Sequence, residues 1–404
     1  RATDQQGPAT SCFLCALRDS AVKGLIFTML KSYFTIAIRN LLRHQFYTFL
    51  NVIGLAIGVG CLIVAILYYD YHNQFNAGHI KEDRIYRVLS HLKDVEGTRY
   101  LTGTHPVAPH IKAAFPEVEA ATRIINRQMW VDAGADAFHE YVAIVDTSYT
   151  HMFTLQMAQG DARTGLLQPN TCFIDESLAK RLFGSDDPIG KTISVNYKWV
   201  EGDYTVTGVM KNIADKTLQR LKFSFLTTTF STPEHWKEPV WEHWPSDWFV
   251  TPLGTYILLR EGTDPAHFQA LLDAFSVKHK IPDARQQISY VLQPFSEIHL
   301  YTQRNFGIPQ GEDIDRVDAI LGIGVLVLFL ACLNYINLVT AQSPLRSREV
   351  GLRKVSGALQ GHLMCQFLGE STLVVTAAFA VAVGLASLML PSVSDLLGVP
   401  LELN

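Results

Sequence analysis

An excess of charge of either sign is missing from this chain. Its 34 Lys and Arg stand against 38 Asp and Glu, a formal net charge of −4. No basic surplus is available to hold a polyanion, so no nucleic-acid partner is expected. Cysteine is scarce too. Of the six, Cys12 and Cys15 lie near the start, and Cys61, Cys332 and Cys365 lie in or beside apolar runs. Only Cys172 falls in the large middle region, so no disulfide can form within that region and it must fold on its own core. Cys12-x-x-Cys15 has no second pair and no helical or strand context, and is read as chance. Residues 1–28 lack the basic, apolar, small-residue order of a cleavable signal peptide. Catalytic signatures are missing as well: there is no G-x-S-x-G, no H-E-x-x-H and no Ser/His/Asp arrangement above chance. His105 and His110 are wrongly spaced for one helix face and have a proline between them. No metal and no cofactor is expected.

What the chain does have is apolar length. Of its 404 residues, 48% are apolar, too many on average for an ordinary soluble protein that also holds a large polar middle. Residue 1 is Arg, and a recognisable pattern begins only at Met29, which is taken as the true start; residues 1–28 stay an unassigned extension. From 29 to 45, Leu30, Phe34, Ala37, Ile38, Leu41 and Leu42 fall at helical spacing with Lys31, Arg39, Asn40 and Arg43 opposite. Such a basic amphipathic helix belongs in a membrane interface. Residues 46–69 then run for 24 positions without a charge, with Gly54-x-x-x-Gly58 as a small-residue packing face and Tyr68-Tyr69 at the far interface. Two more uncharged runs follow, 319–341 with Asn334 and Asn337 near one end, and the later part of 364–390. Each is long enough, at roughly 20 residues or more, to span a bilayer core.

The region between the first two spans, residues 70–318, reads as a folded α+β domain. Strands are expected at Arg84 to Val95, Arg123 to Val131, Tyr141 to Val145, Thr192 to Tyr197, Tyr204 to Val209 and Thr255 to Leu259. Helices are expected at Pro106 to Phe115, Ser177 to Phe183 and Asp264 to Phe275. Two subdomains are expected, with a seam at Asp132 to Asp136 or in the Pro/Trp-rich stretch Pro233 to Pro252. The cluster Trp236, Trp241, Trp244 and Trp248 is read as packing of a loop onto a sheet. Gly184 to Thr192 imitates a phosphate-binding loop but fails as one. It has five residues between its glycines where four are required, one of them a proline without an N–H, and it joins a helix to a strand, the reverse order.

Between the second and third spans lies a short basic stretch, Arg346-Ser347-Arg348-Glu349-Val350-Gly351-Leu352-Arg353-Lys354-Val355-Ser356-Gly357-Ala358. Four cations and one anion between two spans place it in the cytoplasm by the positive-inside rule. It reads as a short amphipathic helix with a buried-looking Val/Leu/Val set and a close-approach end. With this stretch inside, residues 70–318 lie outside the cytoplasm.

This stretch resembles the cytoplasmic coupling segment of the MacB/FtsX/LolC-E family of ABC-transporter permeases, which reads much like R-S-x-E-[IV]-G-x-R-[RK]-x-x-G-A. Three further runs extend the resemblance: Asp83-Arg84-Ile85-Tyr86-Arg87-Val88, the block from Pro169 to Ile193 with Glu176 to Gly184 and Asp187 to Lys191, and Leu292 to Tyr301. The order and spacing of the blocks run from Met29 nearly to the end. Gly369-Glu370-Ser371 is similar to a Gly-Glu-Ser step of the family at the cytoplasmic end of the third span; a charge there can snorkel or pair with a basic residue.

The resemblance implies a multi-pass α-helical membrane protein with a large inserted α+β extracytoplasmic domain of two subdomains. The chain divides as 1–28 extension, 29–45 interfacial helix, 46–69 first span, 70–318 periplasmic domain, 319–341 second span, 342–363 coupling loop, 364–390 third span and 391–404 the start of an outer loop, after which the family would return with a fourth span. It implies a permease subunit without catalysis of its own, moved by a separate cytosolic ABC ATPase that docks on Arg346, Arg348, Glu349, Gly351, Arg353, Lys354, Gly357 and Ala358. It further implies membrane lipid around the spans, a homodimer or pseudo-dimer, a periplasmic adaptor, and a bacterial inner membrane with the N-terminus cytoplasmic. Relatives extrude macrolides or peptides, extract lipoproteins or regulate cell-wall hydrolases, and antimicrobial or peptide export is the preferred expectation. A membrane receptor with an outer sensing domain is the alternative from another class, and would need an output domain inside.

Overall fold

The computed structural model describes residues 35, 39, 42, 45–75, 78–94, 97–103, 105–134, 137–197, 200–213, 222–228, 253–278, 287–306, 311–356 and 360–403. The extension 1–28, most of the interfacial helix 29–45, the Trp236 to Trp248 cluster, the stretch Pro233 to Pro252, and Gly357 and Ala358 lie outside these residues. The chain forms two compact units, one of residues 1–70 with 318–404, the other of residues 71–317.

The first unit holds three long apolar helices, α1 Gln45–Asn73 and, numbered in chain order with the helices of the second unit, α7 Ile314–Ala341 and α9 Gln360–Leu397, with the short basic helix α8 Ser343–Val355 between the last two. Three of them, α1, α7 and Leu363–Leu397 within α9, are long and apolar enough to cross a membrane. Small residues decide their packing. A Cβ added to Gly58 of α1 would lie 2.7 Å from Cβ of Ala331 on α7, and one added to Gly324 of α7 would lie 2.8 Å from Cβ of Ala65 on α1. Gly58 precedes Ala65 while Gly324 precedes Ala331, so the two helices run antiparallel with glycines at both crossings. Close approach through small residues is how helices associate where lipid removes the hydrophobic drive. Gly54 has more room, with Asn334 Nδ2 3.5 Å away from its would-be Cβ.

On α9 every fourth residue is buried: Val374, Ala378, Ala382, Ala386 and Leu390. Residues four apart share a helix face, and Ala378 and Ala382 meet Leu55 and Ala56 of α1. The third helix does not end at 390 as the sequence suggests. It continues through Pro391 to Leu397, so 391–397 are helix rather than the start of an outer loop. Proline removes one helical N–H, a loss that membrane helices tolerate when neighbouring groups re-satisfy the freed backbone.

Among the described residues the second unit is built on one sheet of eleven strands. In chain order its elements are β1 Ile85–Asp94, β2 Gly97–Thr102, α2 Val107–Ala114, β3 Val118–Asp132, β4 Ala137–Val145, α3 Tyr149–Met152, β5 Met157–Gln159, β6 Thr171–Asp175, α4 Glu176–Phe183, β7 Thr192–Tyr197, β8 Val200–Met210, β9 Phe225–Thr227, β10 Gly254–Leu259, α5 Pro265–Lys278, β11 Gln287–Pro294 and α6 Ile298–Phe306. The order across the sheet is β11-β1-β10-β3-β4-β9-β6-β8-β5, with β2 on β1 and β7 bridging β3 and β8. Pairing is antiparallel except β4 with β9 and β6 with β8.

The helices pack in two groups. Val107 and Ile111 of α2 and Phe268 and Leu272 of α5 close over Val88, Ile257 and Tyr290. Leu178 of α4 closes over Val142, Ile174, Ile193 and Val206. A third core gathers Tyr149 and Phe153 with Phe295, Ile298, Tyr256 and Phe173. All six residues of β10 are buried, because Tyr256 and Leu258 face one of these cores and Ile257 and Leu259 another. Two groups of helices thus share one sheet. The expected seam at Asp132 to Asp136 falls between β3 and β4, which pair with each other from Ile124↔Val145 to Asp132↔Ala137; residues 135 and 136 lie outside the described ones. Gly134 takes φ +100° there, which a side chain would strain, and its N–H donates to Asp132 Oδ1. The domain is therefore not divided at that point.

The first and last strands of the unit lie side by side, with Tyr86↔Pro294 through Lys93↔Gln287. This register brings the two ends of the domain together, which is what an insertion between two spans requires. Arg87, fully buried, donates to Gln293 Oε1 and to Thr302 Oγ1 and joins β1, β11 and α6. Beneath them His72 Nδ1 lies 2.8 Å from His299 Nε2, and the Phe75 ring stacks on His299.

Candidate functional site

The basic stretch that the sequence singles out is helical from Ser343 to Val355. Pro344 at the first turn suits the start, where an N–H would be unused. Ser347 Oγ donates to the Pro344 carbonyl, and at the other end Ser356 Oγ donates to the Leu352 carbonyl. The side chains of Arg346, Arg348, Glu349 and Arg353 lie outside the described ones, although the backbone there is helical. Leu352 and Val355, three residues apart, share a face. Arg353 and Lys354 fall in the last turn, where cations complement the helix dipole.

Leu352 is 73% exposed and Val355 is 90% exposed. The sequence reading has this Val/Leu/Val set buried, and the structure reverses that: only Val350 is partly covered. Nor does Gly351 sit at a close approach among the described residues, where nothing lies within 4 Å of its would-be Cβ. Among the described residues these two aliphatic side chains stay largely bare, an apolar surface on a basic helix.

A second feature lies further along, on α9. Glu370 is 3% exposed, and Gln366 Nε2 donates to its Oε1 at 3.1 Å. The two sit on the same every-fourth-residue stripe as Val374 and Ala378. The carboxylate therefore does not snorkel; it turns into the helix packing.

The other residues weighed from the sequence have local uses. Lys191, in the stretch that imitates a phosphate loop, pairs with Asp186 at 3.0 Å and sits 4.7 Å over the Phe183 ring. That stretch joins α4 to β7. His105 lies against Arg123, which Asp146 holds through both its side chain and its backbone N–H. Burial, with the Arg123 charge, pushes the His105 pKa down to about 4. Among the described residues no three His, Cys, Asp or Glu come together as a metal site.

Two family models cover most of the chain. Residues 48–275 match the MacB-like periplasmic core domain, and residues 321–404 match the FtsX-like permease C-terminal domain. The chain belongs to this family of ABC transporter permeases. Among curated proteins it is similar to the uncharacterized ABC transporter permease YknZ of Bacillus subtilis, 22% identical over 375 residues, covering 86% of this chain and 83% of that one. Among solved structures, a domain assigned to a permease protein of Porphyromonas gingivalis aligns with TM-score 0.46 and 19% identity, over 59% of this chain and 95% of that one. The periplasmic region of MacB from Actinobacillus actinomycetemcomitans aligns with TM-score 0.36 and 12% identity, over 54% and 92%.

Proposed function

We propose that the chain is a non-catalytic permease subunit that passes ATP-driven motion from a separate cytosolic ATPase to its extracytoplasmic domain. The observation that carries this reading is α8: a basic helix between two membrane-spanning helices that presents bare Leu352 and Val355. The ATPase docks on Arg346, Arg348, Glu349, Gly351, Arg353 and Lys354, and on Gly357 and Ala358 just beyond. Its dimerisation on ATP moves α8, then the spans, then the outer domain. This works only if α8 contacts the two ATPase states differently, since a partner with equal affinity for both shifts nothing.

Two copies, or one copy with a second permease unit, assemble in a bacterial inner membrane with the large domain periplasmic. Export of an antimicrobial or a peptide, with a periplasmic adaptor, is the preferred activity within the family; lipoprotein extraction and regulation of cell-wall hydrolases are the alternatives. The test is co-purification in detergent with the ATPase encoded beside the gene, for wild type, Glu349→Lys and Gly351→Trp. Retention by wild type and loss by both variants, all inserted equally in the membrane, supports coupling. Equal retention reduces α8 to a topology anchor.

A further inference from the structure

The α7 helix meets α1 along Gly324, Leu328 and Ala331. On the side turned away from that contact, Ile323, Leu326, Leu330, Leu333, Asn337 and Thr340 are all exposed. They recur in steps of three and four residues, the spacing of a seam along which one helix packs lengthwise on another. Val325 and Ile336 are exposed too, but each lies about 100° around the helix from its neighbour on the seam.

The aliphatic members of the seam are at ease in lipid. The asparagine is not, because an amide in hydrocarbon is costly unless it is hydrogen-bonded. Asn337 lies within the charge-free run 319–341, about one turn from its end. Its short side chain cannot reach along the helix to the headgroups as a Lys or Arg does. Among the described residues nothing hydrogen-bonds this side chain. Asn334 differs, since it leans on α1 with its Nδ2 3.5 Å from the would-be Cβ of Gly54.

From these observations we infer that α7 packs along this seam against α7 of a second copy of the chain, with the Asn337 side chains of the two copies hydrogen-bonded to each other. Symmetry selects the occupant. Copies in one membrane share an orientation, because the same cytoplasmic cations set it. A two-fold axis between them then runs along the membrane normal, and equivalent helices meet parallel. At a parallel two-fold seam each residue faces its own counterpart. Asparagine suits that place, since its Nδ2–H donates to the Oδ1 of the other copy and its own Oδ1 accepts the same bond in return. A single Asn in an apolar seam also fixes the register: sliding one helix by a heptad leaves both amides in lipid.

This rests on the two-copy assembly proposed above and names the surface that makes it. The test contains no ATPase, so docking on α8 stands or fails separately. Every cysteine of the full chain except buried Cys172 is replaced by alanine, and single cysteines are introduced as Leu330→Cys, Asn337→Cys, Val325→Cys and Ile336→Cys. Oxidation in membranes with copper phenanthroline is expected to link the first two variants as dimers and to leave the last two largely unlinked. Association is read independently by FRET between donor-tagged and acceptor-tagged chains with native cysteines, diluted into vesicles. Asn337→Leu, which keeps the volume, should weaken it about fivefold, and Asn337→Gln, which keeps the amide, should weaken it less. FRET with no cross-link at 330 or 337, equal cross-linking at all four positions, or unchanged association of Asn337→Leu overturns the α7 seam while leaving two-copy assembly in place. Absence of FRET in wild type overturns both.

Discussion

Gly58 and Ala331 meet at a helix crossing that leaves no room for one more carbon: a Cβ on Gly58 would lie 2.7 Å from the Ala331 Cβ and 3.2 Å from the Leu328 Cα. Four residues earlier on the same helix, Gly54 would accept a Cβ at ordinary contact distance. Gly58→Ala should therefore lower the melting temperature in detergent by several degrees, in line with about 1–3 kcal/mol for overpacking. Gly54→Ala should change it little. Ala331→Gly should restore much of the loss in the Gly58→Ala background, because the two changes act on one contact. Equal effects of the two single substitutions would show that the helices do not cross here.

The buried Arg87 depends on Gln293, which accepts from both its Nε and its Nη2. Gln293→Leu removes the acceptor and keeps the volume, leaving a cation in the core with fewer partners. It should cost about 2–3 kcal/mol, read as a lower urea midpoint for the outer domain. Ser289→Ala on the same strand, at a partly exposed site, serves as the comparison and should cost much less.

The outer domain should lose stability in acid in two stages. Burial pushes His79 and His105 down to about 4 and His299 down to about 3, with the Arg123 charge adding at His105 and the His72 ring at His299. Between about pH 6.5 and pH 4 the unfolded chain then binds protons that the folded one does not, so stability falls as pH falls. For Glu119, burial acts upward but is outweighed by hydrogen bonds from His151 and Arg84 and by the charges of Lys81 and Arg84, which bring it to about 2. Its contribution is complete above about pH 4.5 and is lost from there down toward 2. Chemical unfolding from pH 7 to pH 3 checks both stages: His299→Gln should flatten the upper one and Glu119→Gln the lower.

Leu352 and Val355 are largely exposed among the described residues, so substituting them should separate stability from coupling. Leu352→Asp should melt within about a degree of wild type, since exposed positions shift stability by about 0.5 kcal/mol or less. The same change should abolish stimulation of the partner ATPase in reconstituted vesicles. A large loss of melting temperature with normal stimulation would show that Leu352 packs within the permease.

Much of the outer domain was legible in the alternation of its residues. Thr192 to Tyr197 is a strand over the expected span, and the helix expected at Pro106 to Phe115 forms as Val107–Ala114. The strands that escaped notice have physical reasons. Thr171–Asp175 and Phe225–Thr227 are short and buried on both faces, so they show no period of two. Gln287–Pro294 becomes a strand only because β1, about two hundred residues earlier, offers its edge. The basic helix α8 could be located from its charge, but which of its apolar residues stay bare could not. The same spacing of Val350, Leu352 and Val355 serves equally for a buried stripe or a docking surface. Gly324, which completes the α1–α7 crossing, was as plain in the sequence as Gly58 but lies in no repeat that marks it.

What the sequence determined by itself was where charge is absent for long enough to span a bilayer, where cations gather between spans, and which family these patterns resemble. Each is a property of consecutive residues, because hydropathy and charge act locally along the chain. The tertiary structure alone decided that a single sheet underlies both groups of helices, that Pro391 lies within a helix, that Glu370 turns inward, and that Asn337 is left on the side of α7 turned away from α1. Those facts depend on strand register and helix packing, which bring together residues as far apart as Tyr86 and Pro294, and no local pattern encodes which of them will meet.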